Sequence, residues 1–344
     1  MAGTPRRGAW RRGVTRHFLR AALAALVLLM AACATPPQTA ALRNSALPYR
    51  PVELTSVPFF AQEDYQCGPA ALATVLGWSG VNITPAELTP QVYVPSRQGS
   101  LQIELLGATR RQGRIPYVLQ PRLTALLTEL SAGHPTLVLL NLGLSWYPVW
   151  HYAVVVGYDL EHNQIIMRSG RLPRDVLRME VFERIWARSG YWALLVLPPD
   201  MLPATAEELP YLQAVTELER LQQWRPAARA YETALKQWPN SLGAALGLGN
   251  ARYALADLAG AEQAFRDAVK HHPDAAPAYN NLAQVLAEEG HYREAERMVL
   301  QALKLGGPLQ ETYQKTLREI QDKARTTRHR DAASHAKRHN KSQH

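Results

Sequence analysis

The sequence predicts an α+β domain followed by an all-α solenoid. Between residues 56 and 200, helix-like patterns come first and short apolar runs typical of strands follow, an order that favours an α+β fold. From Ala204 onward the chain is rich in alanine, and its small residues recur every 34 positions. The 344 residues suffice for two domains of ordinary size.

The elements of the first domain follow from its apolar runs and its turn residues. Gly113 and Gly133 end two predicted helices, and the run 136–142 is apolar except for Asn141, which predicts a buried strand. The predicted helices span residues 69–78, 85–88, 101–112, 122–132 and 175–188. The predicted strands span residues 115–119, 136–142, 151–158, 164–168 and 191–197.

Cys67 stands where the first of these helices begins. Gly68-Pro69 and a run of small and apolar residues follow it, and proline is tolerated in the first turn of a helix. The free N–H groups and the dipole of a helix N-terminus favour a thiolate, which is the nucleophilic form of cysteine. Gln62, five residues upstream, is the candidate donor to an oxyanion formed when Cys67 attacks a carbonyl. A buried structural thiol is the other interpretation of Cys67.

A cysteine nucleophile needs a base that is distant in sequence and close in space. His151 is the candidate, because it opens a valine-rich strand after Trp146, Pro148 and Trp150. His134 and His162 are alternatives, but both lie in predicted loops beside turn-forming residues. A solvated or structural histidine is the other interpretation of His151.

Gln62, the run Cys67-Gly68-Pro69-Ala70-Ala71-Leu72 and the run from His151 to Asp159 together resemble the C39 peptidases. These are papain-like cysteine peptidases that process bacteriocin precursors after a double glycine. The resemblance extends over about residues 56–198. It implies that Cys67 is the nucleophile, that His151 is the general base and acid, and that Gln62 donates to the oxyanion.

The chain departs from this family at the residue that orients the histidine. The family has an aspartate on the strand after the histidine, whereas residues 165–170 read Ile-Ile-Met-Arg-Ser-Gly. Ser169 is the nearest polar residue and is the candidate orienter, although it also fits a loop-capping serine. Asp159 and Asn163 come earlier, in the predicted turn between the strands. A weak orienter implies low activity or dependence on a partner.

The 34-residue period of the second part resembles tetratricopeptide repeats. Three repeats are predicted in residues 206–307, with a capping helix at 308–321, and a generic helical bundle is the alternative. Such repeats form a concave surface for a peptide or a partner protein. Asn250, Asn280 and Asn281 are candidates for polar residues that face inward and bind this partner, and helix-surface asparagines are the alternative.

The N-terminus resembles the signal of a bacterial lipoprotein. Six arginines precede a short apolar run at residues 21–30, and Met30-Ala31-Ala32-Cys33 is similar to a lipobox. The resemblance implies that 1–32 is a signal peptide, that Cys33 is lipidated, and that 33–55 is a tether. Because Ala34 rather than aspartate follows, it also implies the outer membrane of a Gram-negative bacterium. An ordinary secretory signal is the alternative, and with Cys33 lipidated Cys67 is an unpaired thiol in an oxidising compartment.

The basic charge belongs to the two ends of the chain. Of the net charge of +9, residues 1–32 carry +6 and residues 322–344 carry +5, which leaves −2 for the body of the chain. This distribution argues against a nucleic-acid-binding core. The tail 322–344 is polar and predicts disorder. We find no phosphate-binding loop and no regular metal-ligand spacing, so no cofactor and no metal site is predicted.

These patterns support an exported, lipid-anchored cysteine peptidase whose repeats recruit a peptide or protein substrate or a partner protein. Peptidases of the C39 family usually act on the cytoplasmic side of transporters, so an exported relative has a different task. A weak or inactive peptidase-like scaffold, acting through its repeats, is the alternative. A third possibility is a thiol acyltransferase or amidase that uses the same Cys–His pair with another acceptor.

Overall fold

A seven-stranded antiparallel sheet forms the centre of the first domain. The computed structural model describes residues 35–43, 50–62 and 66–341, with side chains described through residue 330. The strand order is β4-β9-β5-β6-β7-β8, and β1 also pairs with β6, while β2 and β3 form a separate pair. The strands are β1 Val52–Glu53, β2 Tyr93–Val94, β3 Gly99–Ser100, β4 Ile115–Val118, β5 Thr136–Asn141, β6 Trp150–Asp159, β7 Gln164–Ser169, β8 Leu172–Arg178 and β9 Ala193–Leu197.

Helices cover both faces of this sheet and build the second part of the chain. In the first domain they are α1 Pro37–Arg43, α2 Cys67–Trp78, α3 Pro85–Val92, α4 Gln102–Arg111, α5 Leu123–Ser131 and α6 Met179–Ala187. In the second part they are α7 Glu208–Arg220, α8 Trp224–Gln237, α9 Leu242–Ala254, α10 Leu258–His271, α11 Ala276–Glu288, α12 Tyr292–Leu305 and α13 Gln310–Lys341.

β6 is the central strand and pairs with three others. It pairs with β5 from Trp150 to Val155, with β7 from Val154 to Asp159, and with β1 at Gly157 and Tyr158. Its middle is apolar and fully buried because α2 packs on one face of the sheet and α5 and α6 pack on the other. At Gly157 a Cβ would overlap the Val52 carbonyl, so only glycine lets β1 approach this closely.

The core of the first domain continues into the second part. On the face covered by α5 and α6, Ile115 of β4 and Leu197 of β9 belong to the same buried cluster as Tyr211, Val215 and Leu218 of α7. The two parts therefore share one apolar core, and the helical part packs directly against the first domain.

The fully buried carboxylate of Glu129 fixes the connection between the two parts. It accepts hydrogen bonds from the backbone N–H groups of Ala204 at 3.0 Å and Thr205 at 2.7 Å, and it lies 2.7 Å from His134 Nδ1. Burial alone raises the pKa of Glu129, but the bonds from His134, Thr205 and Ala204 outweigh it and hold that pKa below the usual value. Glu129 therefore stays ionised, with its charge met by hydrogen bonds.

A second buried carboxylate, Glu183 of α6, holds the segment before the sheet. Its oxygens accept bonds from the backbone N–H groups of Gln38 at 2.9 Å and Thr39 at 2.6 Å, which are unpaired donors at the start of α1. Thr39 and Leu42 are buried against the domain. The predicted tether at 33–55 is therefore wrong for α1 and for β1, which are parts of the folded domain. Cys33 and the predicted signal peptide 1–32 lie outside the described residues.

Three helix pairs, α7/α8, α9/α10 and α11/α12, form the helical part. Small residues let neighbouring helices approach: a Cβ on Gly247 would overlap the ring of Tyr231, and one on Gly249 would overlap the ring of Phe265. Ala227, Ala261 and Ala295, spaced by 34, are each fully buried in the second helix of a pair. The sequence period therefore corresponds to a stacking contact that is made once in each pair.

The last helix extends further than the sequence predicts. Tyr313 and Ile320 of α13 are buried against the third pair, as expected of a capping helix. The helix does not end at residue 321 but continues to Lys341, so the predicted disorder of 322–344 is wrong over residues 322–341. The reason is that this stretch has no glycine or proline and is rich in Ala, Arg and Lys, which favour helix.

The predicted helix 175–188 is also wrong at its start. Residues up to Arg178 belong to β8, which pairs with β7, and α6 begins only at Met179. Pairing with a neighbouring strand overrides the local helical pattern here.

We expect Glu129→Ala to lower the free energy of unfolding by about 3 kcal/mol, because it leaves the buried N–H groups of Ala204 and Thr205 without an acceptor. Denaturant unfolding measures this change. Glu288→Ala is the matched control, since its exposed pair with Lys323 contributes no more than about 1 kcal/mol. Equal losses in the two variants would contradict the role of Glu129.

Candidate active site

Cys67 is the first residue of α2 and is a free thiol. The residue before it, Gln66, makes no side-chain cap, so N–H groups of the first turn remain available next to the sulfur. Residues 68–76 of the helix are buried against the sheet, which fixes the start of the helix in place. At Gly68 a Cβ would overlap the side chain of Ser100, so glycine is required for β3 to pack against this turn.

Cys67 and Gln62 both contact the main chain of Tyr152, the residue after His151. The Gln62 side-chain amide donates to the Tyr152 carbonyl at 3.3 Å, and the backbone N–H of Tyr152 lies close enough to the Cys67 sulfur to lower the pKa of the thiol. The backbone N–H of Gln62 also donates to the Gly170 carbonyl at 3.0 Å. The structure thus brings the segment of Gln62 and Cys67 to the start of β6, where His151 lies some 80 residues later in the sequence.

His151 and Ser169 lie next to each other on neighbouring strands. His151 Nε2 is 3.0 Å from Ser169 Oγ, at the point where β7 ends. Ser169 is therefore a hydrogen-bond partner of the His151 imidazole, and its role as the orienting residue stays a prediction. A neutral hydroxyl stabilises an imidazolium less than a carboxylate does.

The other two histidines have structural partners away from Cys67. His134 is buried and bonded to Glu129, with its ring edge against Trp78. His162 Nδ1 lies 2.7 Å from Asp159 in the turn between β6 and β7, at the far end of β6 from His151. Of these three histidines, His151 is the one that directly precedes Tyr152, whose carbonyl Gln62 contacts.

Asp175 is a charged neighbour of His151 that the sequence analysis missed. It pairs with Met167 across β8 and β7, and Met167 and Ser169 lie on one face because side chains alternate along a strand. Its negative charge acts on the imidazole of His151. The signal was present in the sequence, because Gly170-Arg171 between two short runs fits a hairpin that would fold Asp175 back beside β7.

Burial sets the protonation state of the Cys67–His151 pair. It raises the pKa of the Cys67 thiol, and the N–H groups of Tyr152, Gly68 and Cys67 itself only partly offset it. It lowers the pKa of His151, and the charge of Asp175 only partly offsets this. The expectation that the helix N-terminus makes Cys67 a thiolate is therefore wrong, because the cost of desolvation is larger. Both directions, a raised pKa for Cys67 and a lowered pKa for His151, favour the uncharged forms of the two side chains.

The three asparagines of the repeats differ in their placement. Asn281 Nδ2 donates to Asn250 Oδ1 at 3.1 Å, so these two side chains link neighbouring pairs on one accessible face. Asn280 is only 4% exposed and lies within the stack. The prediction that Asn280 contacts a partner is therefore wrong, because its side chain faces the core.

One cluster in the described residues has the composition of a metal site. Ligand atoms of Glu262, Glu289 and His291 lie within 4.8 Å of one another. However, Arg266 already pairs with Glu262 at 2.6 Å. The neighbouring carboxyl group of Glu262 raises the pKa of Glu289. This cluster therefore carries no metal assignment, and the absence of a cofactor stays a prediction.

Among the residues that the structure describes, no helix combines the length and the apolar character needed to cross a bilayer.

Comparison with known proteins matches both parts of the chain. The Peptidase_C39 like family matches residues 54–193, and the tetratricopeptide repeat matches residues 264–297. A protein of Methanothermobacter thermautotrophicus strain Delta H, described as "Uncharacterized protein", is 33% identical over 123 residues, which are 36% of this chain and 77% of that protein.

Solved structures resemble the two parts separately. A putative C39-like peptidase from Bacillus anthracis is 18% identical with a TM-score of 0.38, and the alignment covers 43% of this chain and 98% of that one. The Yersinia enterocolitica type III secretion translocator chaperone SycD is 18% identical with a TM-score of 0.32, covering 33% and 82%. The TPR2B domain of yeast Sti1 in its pHsp70 complex is 17% identical with a TM-score of 0.31, covering 31% and 90%.

The predicted fold class, a papain-like α+β domain followed by a tetratricopeptide-repeat solenoid, is confirmed by the observed elements and the family matches. The chain therefore belongs to the Peptidase_C39 like family through residues 54–193 and carries a tetratricopeptide repeat at residues 264–297.

Proposed function

We propose that this protein is a cysteine peptidase that hydrolyses peptide bonds with Cys67 and His151. The observation that carries the proposal is that Cys67 and Gln62 meet at the main chain of Tyr152, directly after His151. We propose further that the chain is exported and held at the outer membrane by a lipid on Cys33, as its N-terminal sequence suggests.

The proposed mechanism begins from the neutral pair. His151 takes the proton of Cys67 as the sulfur attacks the substrate carbonyl, and it then gives this proton to the leaving amine. Because Ser169 engages Nε2, the proton travels through Nδ1. A water molecule next hydrolyses the thioester, with His151 acting as base again. The backbone N–H of Cys67 and the Gln62 amide donate to the oxyanion.

The Gln62 amide is suited to exchange the Tyr152 carbonyl for the oxyanion as its hydrogen-bond acceptor. Its bond to the Tyr152 carbonyl is 3.3 Å long, at the weak end of the range for such bonds. An oxyanion is a stronger acceptor than a neutral carbonyl, so the amide gains a better partner only while the oxyanion exists.

The repeats recruit the substrate or a partner protein in this proposal. Stacked tetratricopeptide repeats, of the kind matched at residues 264–297, form an extended concave surface that binds partners. In this chain the accessible Asn250–Asn281 pair offers amide groups on a repeat face.

A peptidase-like scaffold with little activity is the second candidate function. Two observations favour it: Ser169 stands where an aspartate would hold the histidine, and burial raises the pKa of Cys67. In that case the repeats carry the function.

We expect the purified chain to cleave members of a peptide library and Cys67→Ala to lose at least 99% of this cleavage, as is typical when a nucleophile is removed. Mass spectrometry of the products measures it. Because burial lowers the pKa of His151, the base stays neutral below pH 6.5, and cleavage should persist below about pH 6.5. Cleavage that survives in Cys67→Ala would reveal a contaminating enzyme, and the absence of cleavage in the parent would favour the scaffold.

The ordinary pKa of a free thiol is about 8.5. We expect the rate at which iodoacetamide alkylates Cys67 to keep rising above this pH. The reason is that burial raises the pKa of this thiol, so the thiolate forms only at higher pH. A chain without residues 1–33 removes Cys33 from the measurement. A rate that is already constant below pH 7 would show a preformed thiolate and contradict the neutral pair.

We expect Ser169→Asp to raise the pKa of His151 and to increase the alkylation rate at pH 7 by about tenfold, since a carboxylate stabilises the imidazolium that accompanies a thiolate. The same alkylation assay measures this change. Thr326→Asp, which adds the same charge on an exposed face of α13, is the control and should leave the rate unchanged. An unchanged rate in Ser169→Asp would show that Ser169 does not act on the pair.

A further inference from the structure

The loop between β5 and β6 presents an unusual apolar surface. The stretch 141–150 has no charged residue. Trp146 is 81% exposed and Tyr147 is 71% exposed, which is far from the usual burial of large aromatic side chains. Four more apolar side chains of this loop are about half exposed, namely Leu142, Leu144, Val149 and Trp150. Contiguous exposed surface of this kind marks an interaction site.

Hydrogen bonds hold this loop in one conformation. The Asn141 side chain is buried, and its Oδ1 accepts from the backbone N–H groups of Gly143 and Val149, each at 3.0 Å. The Arg188 guanidinium donates to the Gly143 carbonyl at 2.6 Å. A Cβ on Gly143 would overlap the Tyr147 carbonyl, so the tight fold of the loop requires this glycine. The exposed aromatic rings are therefore preorganised, which lowers the entropic cost of binding to them.

The loop is continuous with the candidate active site. Trp150 directly precedes His151 on β6. Because β6 and β7 are antiparallel, the turn after Ser169 lies at the same end of the sheet, and the exposed Leu172 follows it. The loop and this turn therefore flank the place where the scissile bond must approach Cys67.

We propose that the loop 142–150 is the substrate-binding wall of this site and that it selects peptides with bulky apolar side chains next to the scissile bond. The proposal rests on the proposed peptidase function, since its occupant is the peptide to be cleaved. A peptide is the occupant because the half-exposed Trp150 directly precedes His151 on β6, so a substrate chain bound at His151 lies next to the base of the loop. A bilayer or a second copy seated on the same surface would cover this entrance.

The length of the loop 142–150 limits how far from the scissile bond the selected apolar side chains of the substrate can lie. Trp146 at the tip is four positions from Trp150 at the base, a separation of at most about 13 Å along the chain. An extended substrate covers the same distance with about four residues. The apolar side chains are therefore expected within about four residues of the cleaved bond, on the side that lies against the loop.

Binding to an array of short synthetic peptides with known sequences tests the proposal without requiring catalysis. The full chain carrying Cys67→Ala is the probe, and the array contains matched peptides in which Leu, Phe or Trp is replaced by Ser or Asn. We expect the apolar peptides to bind, and the added pair Trp146→Ser and Tyr147→Ser to weaken this binding about tenfold. Replacing Trp146 by phenylalanine instead of serine should restore most of the binding that Trp146→Ser removes. Thermal unfolding checks that each variant is folded.

Leu209→Ser is the matched control, because Leu209 is a similarly exposed apolar residue on α7 away from the site. Equal binding of apolar and polar peptides, or an equal loss in the control, would overturn the proposal. Two other results would also overturn it. One is binding to vesicles of phosphatidylethanolamine and phosphatidylglycerol that depends on Trp146, and the other is a dimer that depends on Trp146.

The array and the cleavage assay separate the two proposals. Apolar binding that depends on Trp146, without any cleavage by the parent chain, would contradict the peptidase and leave the wall in place. Cleavage that depends on Cys67 but shows no preference for apolar residues, with no effect of Trp146→Ser, would contradict the wall alone.

Discussion

The interrupted hydrogen-bond ladder of β6 is the constraint on which the candidate site depends. β6 is paired along most of its length by β5, β7 and β1, and this pairing fixes His151 at its start. β7 ends at Ser169, and beyond this point Gln62 and Cys67 take up the carbonyl and the N–H of Tyr152. Buried backbone groups need partners, so the residues proposed for catalysis also complete the sheet. A displaced Gln62 or Cys67 would therefore disturb the fold and the chemistry together.

Much of this arrangement could be predicted from the sequence, and the exceptions share a physical reason. The helix at Cys67, the strand at His151 and the repeat period are local patterns, so the sequence alone indicates them. The docking of α1 depends on Glu183, 144 residues away from Thr39, and the position of Asp175 depends on pairing with β7. The direction of the Cys67 pKa depends on how deeply the site is buried. The docking of α1, the position of Asp175 and the pKa of Cys67 are therefore not properties of a short stretch of chain.

The raised pKa of Cys67 suits the oxidising compartment in which the protein is proposed to work. A thiolate is the form of cysteine that oxidants attack most readily, and a thiol reacts more slowly. By holding Cys67 protonated, burial protects a residue that is proposed to work in an oxidising environment. The cost is a less reactive nucleophile, and the pair then depends on the substrate to bring the sulfur and the carbonyl together. Ser169 and Asp175 set how large this cost is, because they act on His151.

The buried carboxylate of Glu129 has a consequence for how the two parts of the chain work together. It holds residues 204 and 205 by hydrogen bonds, and α7 shares the core of the sheet, so the start of the repeats is packed against the domain that carries Cys67. A ligand held on the repeats is then presented to the thiol at a fixed distance, which raises its local concentration only if its length fits. Under the proposed peptidase function, the bond that reaches Cys67 is then set by the number of residues between the docked segment and the thiol.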